Sequence, residues 1–347
     1  MTEDRFKGMT GTQLSRYPGR LDLWLSGRNP GPLTIEVGIT HGCNHNCLHC
    51  SFQQSTPYKK QKKFIDPDLF MQFLKDFREM GGVEIYFAGD GEPLLHPQIE
   101  EFLACCKQLG LGVSMSSNGI YLTEKKATDI LRYLDWIRFS INGGDRDTYA
   151  KIHDCDPKDF DRLSNNLINS VRIRHAQNSK VLLAIQFLVY DLNYQSMVSM
   201  LEFHKVVGTD LLVFRSMSDT RKDDDAPSQE IREALREIEA SVGEFSNVKV
   251  RLDFHTEAKW KYCYGPNFRI YMNHEGDIIP CFRQYYNKNR IGNIHKNRFT
   301  EIWNSERKSD VYKMIESGGD ISMCSRLCHC SQDNIVAQNA CLERGGK

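Results

Sequence analysis

Between residues 83 and 214 short apolar runs and amphipathic runs take turns. The segments 83–88, 111–116, 136–141, 181–190 and 211–214 have the length and composition of strands. The stretches between them, 98–109, 124–134, 160–177 and 195–207, carry apolar residues at helical spacing; in 98–109, Ile99, Phe102, Leu103 and Cys106 share one face. The pattern extends backwards. A strand is expected over 33–39, and a helix opens at Asp66-Pro67, followed by Leu69, Phe70, Phe73, Leu74 and Phe77. Strand–helix–strand crossovers are right-handed, so such units build a parallel sheet with helices outside. The expected fold class is α/β: a partial barrel of six β/α units, then a small α+β domain. Chemistry in barrels of this kind gathers at the C-terminal ends of the strands.

One such end carries Cys43-x3-Cys47-x2-Cys50. Three thiols within eight residues share one centre if they share any, and three are one short of a closed zinc site or a fully ligated cubane cluster. An open coordination position follows. His41, His45 and His49 lie among the cysteines and keep a zinc knuckle as the rival reading. The 347 residues are 40% hydrophobic and 26% charged, which reads as globular. Lysine plus arginine equal aspartate plus glutamate at 45 each, which argues against a nucleic-acid partner. No run reaches the length of a membrane span, and the first residues have no apolar signal region. A cytoplasmic location is expected, so the twelve cysteines are metal ligands or free thiols rather than disulfides. Six of them, Cys263, Cys281, Cys324, Cys328, Cys330 and Cys341, crowd the last third and imply a second metal centre. The polar stretch 216–228 marks a boundary. The expected division is an arm over 1–33, the barrel over 34–216, a linker and helix over 217–247, and the small domain over 248–347.

Cys43, Cys47 and Cys50 behind a first strand resemble the signature of the radical S-adenosylmethionine (radical SAM) superfamily. The resemblance implies a site-differentiated 4Fe–4S cluster on these three thiolates, with SAM on the open iron. Gly89-Asp90-Gly91-Glu92-Pro93 is similar to the family's glycine-rich element, which implies that Gly89, Gly91, Glu92 and Pro93 hold SAM; Asp90 stands where a second glycine is commoner. By the same resemblance His49, Ser117, Asn118, Ser140 and Asn142 take SAM-contacting positions. Cys263-x12-Gly276-x4-Cys281, followed by Cys324-x3-Cys328-x-Cys330 and Cys341, is similar to the SPASM/twitch extension. That implies at least one auxiliary 4Fe–4S cluster, with Cys263, Cys281, Cys324 and Cys328 as ligands and Cys330 and Cys341 as alternatives.

The implied activity is reductive cleavage of SAM to a 5′-deoxyadenosyl radical, which takes hydrogen from a substrate. Only 42 residues precede Cys43, fewer than the leader-binding domain of many peptide maturases needs. The expectation is therefore a small polar substrate (sugar, aminocyclitol or nucleoside) undergoing net oxidation assisted by the auxiliary cluster. Decarboxylation or other redox-neutral radical chemistry on a carboxylated sugar or nucleoside, peptide or protein maturation of the SPASM type, and a non-catalytic zinc-binding interaction module are the alternatives. Arg215, at a strand end, suits an anionic substrate, and His255, Glu257 and Lys259 are further candidates at the mouth. A flavodoxin- or ferredoxin-type reductant is the expected partner, with no nucleic acid and no membrane.

Overall fold

The computed structural model describes residues 14–50, 52, 62–216, 228–242, 247–251, 262–282, 289–317 and 330–344. Helix α1 (Pro18–Leu25) precedes β1 (Thr34–Val37), and a two-stranded ribbon, β2 (Thr40–His41) with β3 (Lys63–Phe64), flanks the cysteine loop. The alternation then runs α2 (Pro67–Glu79), β4 (Glu84–Phe87), α3 (Ile99–Gln108), β5 (Gly112–Ser117), α4 (Glu124–Ile130), β6 (Trp136–Ser140), α5 (Arg146–His153), α6 (Lys158–Ala176), β7 (Leu182–Val189), α7 (Met197–Val207) and β8 (Leu211–Ser216). After it come α8 (Gln229–Ser241), β9 (Val248–Arg251), β10 (Arg269–Met272), β11 (Asp277–Ile279), β12 (Gly292–Asn293), α9 (Phe299–Trp303), α10 (Glu306–Glu316) and α11 (Ser331–Glu343).

Local chemistry sets these elements. Asp66 caps α2, accepting from the Leu69 N–H at 3.0 Å with Pro67 in the first turn. Phe70, Phe73, Leu74 and Phe77 form its buried stripe. Gly81 stops it at φ +86°, a left-handed conformation that glycine adopts without strain. Strands β1 and β4 to β9 are parallel in sequence order. On one face Ile35, Val37, Ile85, Phe87, Val113, Met115, Ile137, Phe139, Leu183, Ile185, Phe187 and Phe214 are fully or almost fully buried under the helices. Each such side chain contributes roughly 1.5–3 kcal/mol of burial. The alternate residues, among them Glu36, Tyr86, Ser116, Arg138, Gln186 and Arg215, share the opposite face. That face is mixed: Tyr86, Ala88, Trp136 and Leu182 form one small buried cluster on it and Ala184, Leu211 and Val213 another.

The expected partial barrel is present, and its sheet extends further than the sequence implied. Strand β10 pairs parallel with β1, from Thr34↔Arg269 to Val37↔Met272, and β11 and β12 add antiparallel to it. One ten-stranded sheet, β12-β11-β10-β1-β4-β5-β6-β7-β8-β9, therefore carries both cysteine regions. Strand β9 joins it beyond the polar stretch 217–227, which lies outside the described residues. Asp76 on α2 is ion-paired with Arg298 at the start of α9, with Arg298 Nε donating at 2.8 Å.

Candidate active site

The cysteine loop leaves β2 and is pinned from three sides. The N–H of Glu92 donates to the Gly42 carbonyl at 3.1 Å, and Gly42 and Gly91 form a parallel bridge. A Cβ at Gly91 would collide with the Thr40 and Gly42 carbonyl oxygens, so only glycine lets the two segments lie together. Gly89 holds φ +92°. On the other side, Asn46 N and Leu48 N each donate at 3.0 Å to the last carbonyls of α5, those of His153 and Ile152. These are carbonyls that a helix end leaves without intrahelical partners.

Cys43 accepts from the His45 N–H at 3.4 Å and lies 3.6 Å from Asn118 Nδ2. Burial, with Glu92 and Cys50 nearby, pushes the Cys43 thiol up to about 12. Burial and the neighbouring Cys43 and Cys50 push Cys47 well above its ordinary value. Buried thiols raised in this way become thiolates when a metal cation takes the place of the proton. That donor set, with a glycine-lined loop beside it, fits an iron–sulfur cluster carrying an open position and a ligand with a polar end.

Glu92 is a strut. Its Oε1 accepts from Ser117 Oγ at 2.7 Å and Leu94 N at 3.1 Å, and its Oε2 from Asn118 N at 2.8 Å. Burial raises its carboxyl despite these bonds. Pro93 opens a buried 3-10 turn behind it. Asn118 Nδ2 also donates to Asn44 Oδ1 at 2.8 Å, which ties the end of β5 to the cysteine loop. Asn142 is fully buried and committed on every side. Its Oδ1 accepts from Leu188 N at 2.8 Å, so its Nδ2 is the group 2.9 Å from His49 Nε2; Asn142 thereby orients His49. Ser140 ends β6 in register with Gln186, and Arg215 on β8 is in register with Leu188. His255, Glu257 and Lys259 lie outside the described residues.

Asp90 is fully buried. Its Oδ1 accepts from Tyr271 OH at 3.1 Å, and His274 Nδ1 donates to its Oδ2 at 2.7 Å. His41 stacks on His274 with ring centroids 4.5 Å apart. The residue that departs from the glycine-rich pattern is thus the link from that loop to the β10–β11 hairpin. Gly38 makes room for it, since any Cβ there would strike the Asp90 carboxylate.

Cys330 lies beside Cys263: a Cβ at Gly265 would be 2.7 Å from Cys330 Cβ and 3.8 Å from Cys263 Sγ. Burial and then Glu316 raise the Tyr312 hydroxyl most, and Cys281, Cys263 and Cys330 all lie close enough to add to it. Cys341, half-buried on α11, stands near Tyr264. Cys324 and Cys328 lie outside the described residues. Phe282, next to Cys281, packs edge-on against both Tyr271 (5.7 Å) and Phe52 (5.2 Å), so the two cysteine regions meet through rings. Sequence reasoning missed Asp90's partners, the inner-face cluster around Arg138, and His153. Arg138 donates to Ser116 Oγ at 3.1 Å and Tyr86 OH at 2.5 Å, and burial, opposed by Arg269 and Arg138, pushes the Glu36 carboxyl up to about 7.

The radical SAM superfamily model matches residues 37–178, and the SPASM model, an iron–sulfur cluster-binding domain, matches residues 263–331. The chain is similar to the tungsten-containing aldehyde ferredoxin oxidoreductase cofactor-modifying protein of Pyrococcus furiosus, at 21% identity over 79% of this chain and 81% of that one. It is also similar to the PqqA peptide cyclase of Streptomyces rochei, at 20% identity over 81% of this chain and 78% of the other. Among solved structures, SuiB of Streptococcus suis bound to S-adenosylmethionine superposes with a TM-score of 0.66 at 14% identity, covering 88% of this chain and 72% of that one.

Proposed function

The chain belongs to the radical SAM superfamily and carries a SPASM iron–sulfur domain, and we propose that it modifies a peptide or protein side chain by hydrogen abstraction with net oxidation. Its cofactors are S-adenosylmethionine and 4Fe–4S clusters, which when bound supply a 5′-deoxyadenosyl radical. Cys43, Cys47 and Cys50 would hold the first cluster, and Gly89, Gly91 and the loop braced by Glu92 would hold SAM. Cys263, Cys281 and Cys330 would hold part of the auxiliary set. A flavodoxin- or ferredoxin-type protein is the proposed electron source.

The carrying observation is the contact of Phe52 with Phe282, which supports an auxiliary centre bordering the mouth where the radical arises. A centre there can take the electron that leaves an oxidised substrate. The small polar substrate expected from the sequence gives way to a peptide because the PqqA peptide cyclase of Streptomyces rochei is similar over four fifths of the chain. One observation favours a second reading. Arg138, Ser116 and Tyr86 on the inner face form a fixed donor set suited to a small anionic substrate, as Arg215 does.

The test is anaerobic. Protein reconstituted with iron and sulfide is reduced in the presence of SAM, and 5′-deoxyadenosine is measured with and without a cell extract. Wild type should form it, and Cys43→Ala, Cys47→Ala and Cys50→Ala should each form none. Protease treatment of the extract should abolish its stimulation. Stimulation that survives protease and passes an ultrafiltration membrane would replace the peptide with the small anion.

A further inference from the structure

We propose that His153 is a positioning residue that tunes the radical-generating cluster by donating a hydrogen bond from Nδ1 to the Cys47 sulfur. The inference rests on the reading of Cys43, Cys47 and Cys50 as cluster ligands. His153 is the last residue of α5 and is 1% exposed. Its Nε2 lies 3.1 Å from the backbone nitrogen of Asn142. A backbone N–H can only donate, so Nε2 is the bare, accepting nitrogen. The imidazole is therefore neutral, with its proton on Nδ1. Nδ1 lies 3.1 Å from Cys47 Sγ, within range for a donor to sulfur.

The approach is fixed from the sulfur's side as well. Cys47 lies between two loop residues whose N–H groups are bonded to α5: Asn46 to the His153 carbonyl and Leu48 to the Ile152 carbonyl. Ring and thiol are thus held by the same helix end. Tyr149 packs against the ring face with centroids 4.3 Å apart. Asp145 caps the start of α5, accepting from Thr148 N at 2.8 Å, and accepts from Ser196 Oγ at 2.6 Å, which anchors the helix to α7.

Hydrogen bonds to cluster sulfurs are one of the levers that set a cluster's reduction potential. Reduction adds negative charge to the cluster and its thiolates. A donor aimed at one of those sulfurs stabilises the reduced form more than the oxidised form, so His153 raises the potential. An electron carrier of ordinary strength can then load the cluster. His45, Cys47 and His153 also place three donor atoms within 4.8 Å of one another, so the competing arrangement is one in which the imidazole itself binds iron.

The experiment is a potentiometric titration of the reconstituted full chain, followed by EPR. His153→Phe removes the donor and should shift the first cluster's midpoint potential downwards. His153→Gln can donate from its amide nitrogen and accept from Asn142 N on its oxygen, and should remain near wild type. A SAM-induced change in the EPR spectrum, retained in both variants, shows that each still holds the cluster. Equal potentials in wild type and His153→Phe would overturn the proposal. Should His153→Phe fail to load iron, wild type labelled with 15N-histidine decides the matter by pulsed EPR in H2O and D2O. Weak histidine-nitrogen coupling with an exchangeable proton supports the hydrogen bond. Strong direct nitrogen coupling, or none, overturns it. A wild-type protein with no SAM-responsive cluster signal overturns both this proposal and the reading on which it rests.

Discussion

Glu36 sits on the inner face of the sheet, and burial is the main reason its carboxyl rises to about 7. An unfolded glutamate titrates at about 4.3. Between those two values the folded chain binds a proton that the unfolded chain releases, so stability falls as pH rises through this window. Glu36→Gln should therefore be more stable than wild type above about pH 7 and equal to it below about pH 4. Urea titrations at several pH values check this, and a constant difference at all pH values would refute it. At this scale the sequence offers candidates where residue identity alone carries the chemistry, as in Cys43, Cys47 and Cys50. It was silent where meaning comes from a distant partner. Asp90 reads as a departure from a glycine pattern until Tyr271 and His274 are brought to it from 181 and 184 residues away.

At the scale of elements, the β10–β11 hairpin is fastened to the glycine-rich loop by that carboxylate. Asp90→Ala removes the acceptor that Tyr271 OH and His274 Nδ1 share, a loss of about 1–3 kcal/mol for each bond. Tyr271→Phe deletes one bond with its donor and should cost only about 1 kcal/mol. Chemical denaturation of the two variants gives the comparison, and equal losses would mean that the link carries no weight. The long elements were legible because the alternation of apolar periods is local: the expected strands over 83–88 and 136–141 are found as Glu84–Phe87 and Trp136–Ser140. Helix α5 was not. It is only eight residues long, and its buried side chains are Tyr149, Ile152 and His153, too few to stand out as a periodic stripe. Its cap, Asp145, was the available signal. Helix α11 escaped notice as well, since its sequence shows no clear apolar face.

For the whole molecule, the continuity of the sheet decides how its parts depend on one another. Its parallel core followed from strand–helix alternation, but nothing in the sequence around 269–272 announces a partner at 34–37, because register between distant strands leaves no local trace. A chain shortened to residue 261 lacks β10 and uncovers the outer edge of β1. Unpaired strand edges invite pairing with other chains. Size-exclusion chromatography should therefore find the shortened chain aggregated, and a monodisperse folded product would show the last third to be an independent attachment. The pairing of β10 with β1 also has a consequence during synthesis. The strand that leads into the cysteine loop is made before β10, and its outer row of hydrogen-bonding groups stays open until Arg269–Met272 have been made. Contacts this far apart in sequence form slowly. The cysteine loop is therefore made long before the strand edge beside it is closed, and its surroundings settle only when β10 arrives.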